Sequence, residues 1–451
     1  MSNSTVIRNG RIMYGSPAGE IAGDLLIENG YIKAVGHLSS IPANAREIDA
    51  DNCYVLPGLV DPHAHYMSPD PCGYRMLSAA GITTALEPIA LVGDASRQQI
   101  KAAHTGLTCA ALYLLMPGRT LPDNDPDERS IIQAVKHARQ EGYLGLKLAG
   151  AHFPFTPAAM SRIIRIAAEM QCILMIHAGS TENRDDFNGM REAVQCSSKY
   201  PFILAHINTY CKGQSDAEQC EYARQAVQLL NENPHIASES TFSTIGCVGC
   251  RMINNVPESL CLQDMLRNNG FTVDLAGMRK AIACGKFFAS GSVGEVYDWL
   301  TPEAGLRLLQ ERNGQITVGI VNKSAEKNTL VAAGRRSNGR FTVNAFSSDG
   351  GIIPCNVILQ EALKRVEQNV FTMSELVEKS SFAGAQLLGL EHRKGIIAEE
   401  FDGDVIIVDP QQKKVRYTIS GGCVVYENGI FNNNKENIFI TELEHTPIFL
   451  Q

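Results

Sequence analysis

The 451-residue chain has no long hydrophobic run, no basic cluster and no regular spacing of its thirteen cysteines. Because a membrane-spanning helix needs about 20 consecutive apolar residues, no segment predicts a membrane span. A formal net charge of −8 argues against nucleic acid as a partner. The N-terminal residues lack an apolar core of signal-peptide length, and scattered cysteines are typical of reduced thiols. These absences predict a cytoplasmic protein that contacts neither a membrane nor nucleic acid.

The two ends of the chain are rich in strand-like segments. Asn-Gly dipeptides follow short apolar runs at Asn9-Gly10, Asn29-Gly30 and Asn428-Gly429, which is the strongest local signal of a β-hairpin. The length suits one large domain and one smaller one. We therefore predict that residues 1–57 and 392–451 pair into one small β-sandwich module, discontinuous in sequence.

The middle segment, residues 58–391, alternates apolar strand-like runs with helix-like stretches. Such alternation is typical of βα units around a parallel sheet. Counting eight strand-like runs, we predict the α/β fold class and a (β/α)8 TIM-type barrel. The segment exceeds the ~250 residues typical of this fold, so we expect an insertion at about 241–339, between the last two strands.

The sequence Val55-Leu-Pro-Gly-Leu-Val-Asp-Pro-His-Ala-His65 ends an apolar run with two histidines. Side chains at positions i and i+2 point to the same side of a strand, so His63 and His65 could both bind one metal ion. The alternative is a strand-end loop with two solvated histidines. Four further ligand-type residues favour the metal site, because each ends its own apolar run: Lys147, His177, His206 and Asp349.

In TIM-type barrels, catalytic side chains lie at the C-terminal ends of the strands. Each candidate alone has a plain structural interpretation. A single histidine could be a hydrogen-bonded core residue, Lys147 could extend its charge into solvent, and Asp349 could cap a turn. Together, at the ends of strands one, four, five, six and eight, the six residues predict a metal centre.

The order of these motifs resembles the amidohydrolase superfamily, and within it the binuclear branch of hydantoinases, dihydroorotases and N-acyl-amino-acid deacylases. The matching segments are residues 57–65, Gly145-Leu-Lys147, Ile176-His177, Ala205-His206, Ser348-Asp349 and residues 401–410. The resemblance implies two divalent metal ions, and Zn²⁺ suits imidazole and carboxylate ligands. His63, His65 and Asp349 would hold the more buried ion. His177 and His206 would hold the more open ion, and Lys147 would bridge both as a carbamate.

A carbamate on Lys147 also has a physical reason. Two dications about 3.5–4 Å apart repel each other and need anionic bridges, whereas a free lysine is a cation below its pKa of ~10.4. A metal-bridged hydroxide would attack the substrate, and Asp349 would pass its proton to the leaving nitrogen. The implied activity is hydrolysis of a C–N bond in a small-molecule amide or cyclic amide, by a homo-oligomer.

Five residues near the predicted strand ends or in the insertion are candidates for substrate binding: Glu87, His152, Asn208, Tyr210 and Arg251. Two other functions stay open. A deaminase of a nucleobase-like heterocycle belongs to the same superfamily, but such enzymes mostly use one metal ion and lack the bridging lysine. A non-catalytic scaffold relative would have lost ligands, whereas all six ligand positions are filled here.

Overall fold

The computed structural model describes residues 4–15, 19–67, 71–90, 94–321 and 324–450. Its centre is a barrel of eight parallel strands, which confirms the predicted TIM-type fold. We number them barrel strands 1 to 8 in chain order. They are Leu59–Asp61, Ile82–Ala90, Thr108–Leu115, Gly145–Ala149, Ile173–His177, Phe202–Leu204, Ile236–Thr241 and Ala345–Ser347.

The barrel closes just beyond the ends of strands 1 and 8. Ala64–His65 pairs in parallel with Gly350–Gly351, and the amide of Asp349 donates a hydrogen bond to the carbonyl of His63 at 2.9 Å. The seam therefore lies at the C-terminal end of the barrel. It brings the two histidines of the first motif next to Asp349, although nearly 300 residues separate them in sequence.

Helices cover the outside of the barrel, and side chains of the strands themselves fill its interior. The strands are therefore buried on both faces, which explains their continuous apolar runs. The helices are Cys72–Ala79, Asp94–Ala102, Glu128–Gln140, Pro157–Glu169, Phe187–Cys196, Asp216–Glu232, Ala325–Ala333, Ile358–Glu367, Met373–Val377 and Ala383–Leu388. Several begin at a side-chain cap, as where Thr156 precedes Pro157 and accepts a hydrogen bond from Ala159. In the described part of the chain, no helix combines the length and apolarity that crossing a membrane requires.

A separate body follows barrel strand 7. Its four-stranded sheet consists of Ile245–Cys250, Phe288–Val293, Val296–Trp299 and Ile316–Val321. Helices Leu260–Asn268, Leu275–Ala283 and Pro302–Glu311 accompany this sheet and share one apolar core with it. Helix Ala325–Ala333 lies inside the predicted insertion, 241–339, but contacts barrel helix Asp216–Glu232.

Strands from both chain ends form one continuous nine-stranded sheet with its own apolar core. Tyr54–Pro57 pairs antiparallel with Val405–Asp409 and so joins the N-terminal strands to the C-terminal ones. The remaining strands are Ser4–Met13, Glu20–Glu28, Tyr31–Gly36, Arg46–Asp49, Lys414–Ser420, Cys423–Glu427 and Ile430–Phe431. The exact domain boundaries given above stay a prediction.

Candidate metal centre

Three of the predicted ligands form a compact group at the barrel seam. His63, His65 and Asp349 each bring one ligand atom within 4.8 Å of the others. Oδ1 of Asp349 lies 3.2 Å from Nε2 of His65 and 3.7 Å from Nε2 of His63. Two imidazoles and one carboxylate at such distances can surround one divalent ion.

The other three predicted ligands lie beside this group. The ring centroids of His177 and His206 are 4.4 Å apart, and that of His206 is 5.0 Å from the ring of His63. Nζ of Lys147, Nε2 of His177 and Nδ1 of His206 are buried and have no hydrogen-bond partner among the described residues. Because buried polar atoms are normally paired, these three nitrogens together fit a second metal site with Lys147 beside it, and the nearest carboxylate to Nε2 of His177, that of Asp185, lies 3.6 Å away.

Glu239, in barrel strand 7, fixes the orientation of His63. Its Oε1 accepts hydrogen bonds from Nδ1 of His63 and from the amide of His206, both at 2.7 Å. Nε2 of His63 is therefore the nitrogen that faces Asp349. Carboxylates in this position orient histidine ligands and raise their basicity. Sequence reasoning missed Glu239, although a carboxylate near the end of the apolar strand Ile236–Thr241 is a signal of the same kind as the six ligands.

Glu87, in barrel strand 2, holds His65 in the same way. Its Oε1 is 3.0 Å from Nδ1 of His65, and its Oε2 accepts hydrogen bonds from the amides of Tyr66 and Met67 at 3.0 and 3.2 Å. The sequence suggests Glu87 as a substrate contact. In the structure, Glu87 lines the cavity and supports His65, with both carboxylate oxygens engaged in hydrogen bonds.

Two ligand positions have a left-handed backbone. The φ angle is 31° at His206 and 51° at Asp349, a conformation that costs a non-glycine residue about 1–3 kcal/mol. Asp61 stabilises the loop before Asp349, because its carboxylate accepts hydrogen bonds from the amide and hydroxyl of Ser348 and from the amide of His63. Burial raises the pKa of Asp61 to about 7, although the Ser348 hydroxyl opposes this.

The electrostatics of the protein alone suit metal binding. Burial lowers the pKa of Lys147 to about 8, against the opposing carboxylates of Glu239 and Asp349. Burial also lowers the pKa of three histidines, His63, His177 and His206. For His65, burial lowers the pKa, but Asp349 and Glu87 outweigh it and raise the value to about 10. A metal ion must therefore displace a proton from His65, whereas the other imidazoles are ready to bind.

His152 lies beside the metal centre, whereas Arg251 lies in the wall of a neighbouring cavity. The ring centroid of His152 is 5.5 Å from that of His177, and its Nδ1 is 2.7 Å from Oγ of Ser259. Burial lowers the pKa of His152 to about 3, so its ring is neutral. Arg251 forms an ion pair with Glu258 at 3.4 Å and lines a neighbouring cavity.

Asn208 and Tyr210 hold the fold together behind His206. The side chain of Asn208 exchanges hydrogen bonds with the backbone of Thr241 at 2.9 and 3.0 Å. The hydroxyl of Tyr210 accepts one from the amide of Ala178 at 2.9 Å. Both residues are fully buried, and neither is among the described residues that line the cavity. The structure therefore does not bring them to a bound substrate.

A cavity of about 900 Å³ opens over the six predicted ligands. The barrel rim and the insertion both contribute to its wall, which combines apolar side chains such as Met67 and Val248 with charged ones. Asp185 is buried in this wall, where it forms an ion pair with Lys212 at 2.7 Å and lies 3.6 Å from Nε2 of His177. The site is therefore large enough for a small molecule and polar where the ligands lie.

Comparison with known proteins agrees with this geometry. Residues 301–438 match the family model described as amidohydrolase family. The chain is 41% identical to D-phenylhydantoinase of Escherichia coli O9:H4 (strain HS) in an alignment 450 positions long, which covers 91% of this chain and 86% of that protein. It is 26% identical to dihydroorotase of Pelobacter propionicus over 438 residues, covering 90% and 89%.

Among solved structures, the fold is similar to N-acyl-D-glutamate deacylase from Bordetella bronchiseptica, which was solved with zinc and a phosphonate inhibitor. The TM-score is 0.67 at 15% identity, over 97% of this chain and 99% of that one. The chain belongs to the amidohydrolase family. Within it, the chain belongs to the binuclear-metal branch and is a metal-dependent hydrolase of carbon–nitrogen bonds other than peptide bonds. The resemblance predicted from the motifs is thereby confirmed.

Proposed function

We propose that the protein hydrolyses a neutral or anionic amide, cyclic or acylated, with two Zn²⁺ ions. The observation that carries the proposal is the convergence of four histidines, Lys147 and Asp349 on one cavity. The relatives named hydantoinase, dihydroorotase and deacylase support an amide substrate. Zn²⁺ suits a site rich in imidazole.

The residues present fit two ions. His63, His65 and Asp349 would hold one, and His177 and His206 the other. The unpaired Nζ of Lys147 would carry a carbamate and add the negative charge that two neighbouring dications need. Burial makes this amine easier to deprotonate, and the neutral amine is the form that combines with carbon dioxide. When bound, the ions supply a water-derived nucleophile at neutral pH and polarise the substrate carbonyl.

Asp349 transfers protons in the proposed mechanism. It lies at the barrel seam, where its Oδ1 is close to both His63 and His65. Although burial raises its pKa, its hydrogen bond with His65 and the charge of His63 hold that pKa well below the usual range. Asp349 is therefore ionised and able to accept a proton from the attacking water. It then delivers that proton to the amide nitrogen, which must be protonated to leave.

His152 donates a hydrogen bond to the substrate carbonyl oxygen. Oγ of Ser259 accepts a hydrogen bond from the amide of Leu262 at 3.3 Å, so its single hydrogen is free for Nδ1 of His152, 2.7 Å away. When the hydroxyl donates this hydrogen to Nδ1, the proton of the neutral ring lies on Nε2. A fixed donor of this kind stabilises the charge that develops on the carbonyl oxygen.

The proposal includes a homo-oligomer in the cytoplasm, as predicted from the sequence. Light scattering of the purified protein tests the oligomeric state, and a mass equal to one chain would contradict it. Fractionation of the source cells tests the location.

Catalytic efficiency across substrate classes tests the proposed function. The zinc-loaded enzyme is assayed with hydantoins, dihydropyrimidines, N-acyl amino acids, aminopurines and phosphotriesters. We expect kcat/KM to be highest for one of the three amide classes. An aminopurine turned over ~10³-fold more efficiently than every amide would support the deaminase alternative instead. No turnover of any class by the metal-loaded enzyme would support a scaffold.

A further inference from the structure

A second cavity of about 710 Å³ adjoins the one over the ligands. The two cavities meet at His152, and six residues line both: Ile89, Ala149, His152, Gly249, Thr317 and Ile352. Beyond these residues, the four-stranded sheet of the insertion and helix Pro302–Glu311 line the second cavity. His152, whose side chain is proposed to bind the scissile carbonyl, therefore lies between the two cavities.

The wall of the second cavity combines apolar side chains with a net positive charge. Tyr297, Leu300 and Leu308 supply apolar surface. Arg307 lies in the middle of helix Pro302–Glu311 and Arg312 directly after it, and Glu311 lines the same wall, so two guanidinium groups stand against one carboxylate there. Arg251, the other arginine in the wall, is neutralised by its ion pair with Glu258.

We propose that the second cavity is a subsite for an extended arm of the substrate, apolar along its length and anionic at its far end. This inference rests on the proposed function and specifies its substrate. The scissile amide would lie at the metal centre, the arm would pass His152, and its terminal carboxylate would reach Arg307 and Arg312. Guanidinium groups bind carboxylates with two parallel hydrogen bonds, which gives them selectivity for this end group.

Size supports an extended substrate. Pockets for small molecules usually measure 300–1,000 Å³ and bury most of their ligand. The cavity over the ligands, at about 900 Å³, already lies near the upper limit. A bare ring amide would leave most of this space to solvent.

Gly249 allows a direct test of the passage between the cavities. It lies in strand Ile245–Cys250 and lines both cavities. A side chain built at Gly249 meets no atom within 4 Å of its Cβ, so a larger residue fits there without a backbone clash. Gly249→Phe would fill the passage, and Gly249→Ala is the matched control that leaves it open.

The first experiment measures kcat/KM for amides and 5-substituted hydantoins with straight arms of two to eight carbons. In the wild type and in Gly249→Ala, we expect at least a ten-fold rise with arm length when the arm ends in a carboxylate. In Gly249→Phe we expect this rise with arm length to vanish, so that the long carboxylate substrates lose at least ten-fold relative to the shortest ones. No rise in the wild type, or a rise that persists in Gly249→Phe, would overturn the proposal.

The second experiment measures binding without turnover. Trp299 is the only tryptophan of the chain and ends the strand that contains Tyr297, so its fluorescence can report on this cavity. We expect an eight-carbon dicarboxylate to bind at least ten-fold more tightly than the eight-carbon diol. The double variant R307Q/R312Q should abolish the difference. Equal binding of the two probes by the wild type would overturn the anionic end group.

The two experiments separate this proposal from the proposed function. If short amides are hydrolysed with no dependence on arm length, the subsite is wrong and the hydrolase assignment stands. If no amide is hydrolysed but the dicarboxylate binds with the expected preference, the subsite stands and the amide assignment fails.

Discussion

The carboxylate of Glu239 lies 2.7 Å from Nδ1 of His63. The contact joins barrel strand 7 to the end of barrel strand 1 and is fully buried. It leaves only Nε2 of His63 for a metal ion, on the side of Asp349. Glu87 makes the equivalent contact with His65 at 3.0 Å. One of the two proposed metal sites is therefore built from histidines that buried carboxylates hold in place.

Glu239→Gln should weaken metal binding without removing any ligand. The amide keeps the size of the side chain but loses its charge, so His63 becomes a weaker base and a less well oriented ligand. Loss of such a partner typically costs 10–100-fold in metal affinity. Competition with a chromophoric zinc chelator measures the change, with Glu258→Gln, at an ion pair outside the centre, as control. An affinity equal to that of the wild type would show that Glu239 does not support the metal site.

Asp349→Asn should separate the two proposed roles of Asp349. Asparagine keeps a ligating oxygen but cannot accept a proton. We expect the variant to retain most of its metal, while kcat falls by at least ~10²-fold, the lower range for loss of general acid–base catalysis. Metal analysis and steady-state kinetics on the same sample measure both quantities. A modest fall in kcat in proportion to lost metal would make Asp349 a ligand only.

His152→Phe should lower kcat by about 10²-fold, the usual cost of removing one hydrogen-bond donor from a developing oxyanion. The phenyl ring keeps the shape of the cavity wall but has no donor. Metal content should not change, because His152 is not a proposed ligand. Ser259→Ala is the companion variant, since it releases the ring without removing it and should cause a smaller loss. Unchanged kcat in His152→Phe would exclude the proposed contact.

The convergence of the six predicted ligands followed from the sequence, because each lies at or near the C-terminal end of an apolar strand, and parallel strands bring these ends together. Glu239 and Ser259 were not recognised, because their importance arises from contacts with His63 and His152 over 100 residues away in sequence. Asn208 was placed in the substrate site because it follows His206. In the folded chain, the short helix Ile207–Tyr210 turns its side chain towards Thr241 instead.

The contacts of the insertion with the barrel also could not be predicted from the sequence. Its length and approximate position follow from the excess of residues over a simple barrel, and its own apolar core explains why it folds as a separate body. Ser259 contacts His152, and Gly249 lies between the two cavities. Both placements depend on how this body lies over the barrel. One sequence carries no local pattern for such an arrangement.

Lys379, a buried lysine outside the metal centre, makes the stability of the folded protein depend on pH. Nζ of Lys379 donates hydrogen bonds to the carbonyls of Ala332 and Val343 at 2.8 and 2.7 Å. Burial lowers its pKa to about 7. The charged groups around it act in both directions, Glu378 and Glu375 raising the pKa and Arg335 lowering it.

Between pH 7 and the ordinary lysine pKa of 10.5, the unfolded chain binds a proton at this lysine that the folded chain does not bind. Lys379 therefore makes the free energy of unfolding increase with pH in this range, by up to ~1.4 kcal/mol per pH unit. In Lys379→Met the melting temperature should rise less steeply from pH 7.5 to 10 than in the wild type. The exposed Lys286→Met is the control, and parallel curves for Lys379→Met and the wild type would contradict the shifted pKa.

The central claim is a two-metal centre bridged by Lys147, and metal titration of the metal-free enzyme tests it most directly. Zn²⁺ is added in the presence of bicarbonate, and bound metal and amide hydrolysis are measured at each step. We predict that the wild type binds about two ions per chain and reaches full activity only with the second. Lys147→Ala should lose most metal and nearly all activity, with partial rescue by small carboxylic acids, whereas Lys286→Ala, on the same cavity wall, should match the wild type. Wild-type activity complete at one ion, or undiminished metal binding and turnover in Lys147→Ala, would contradict the account.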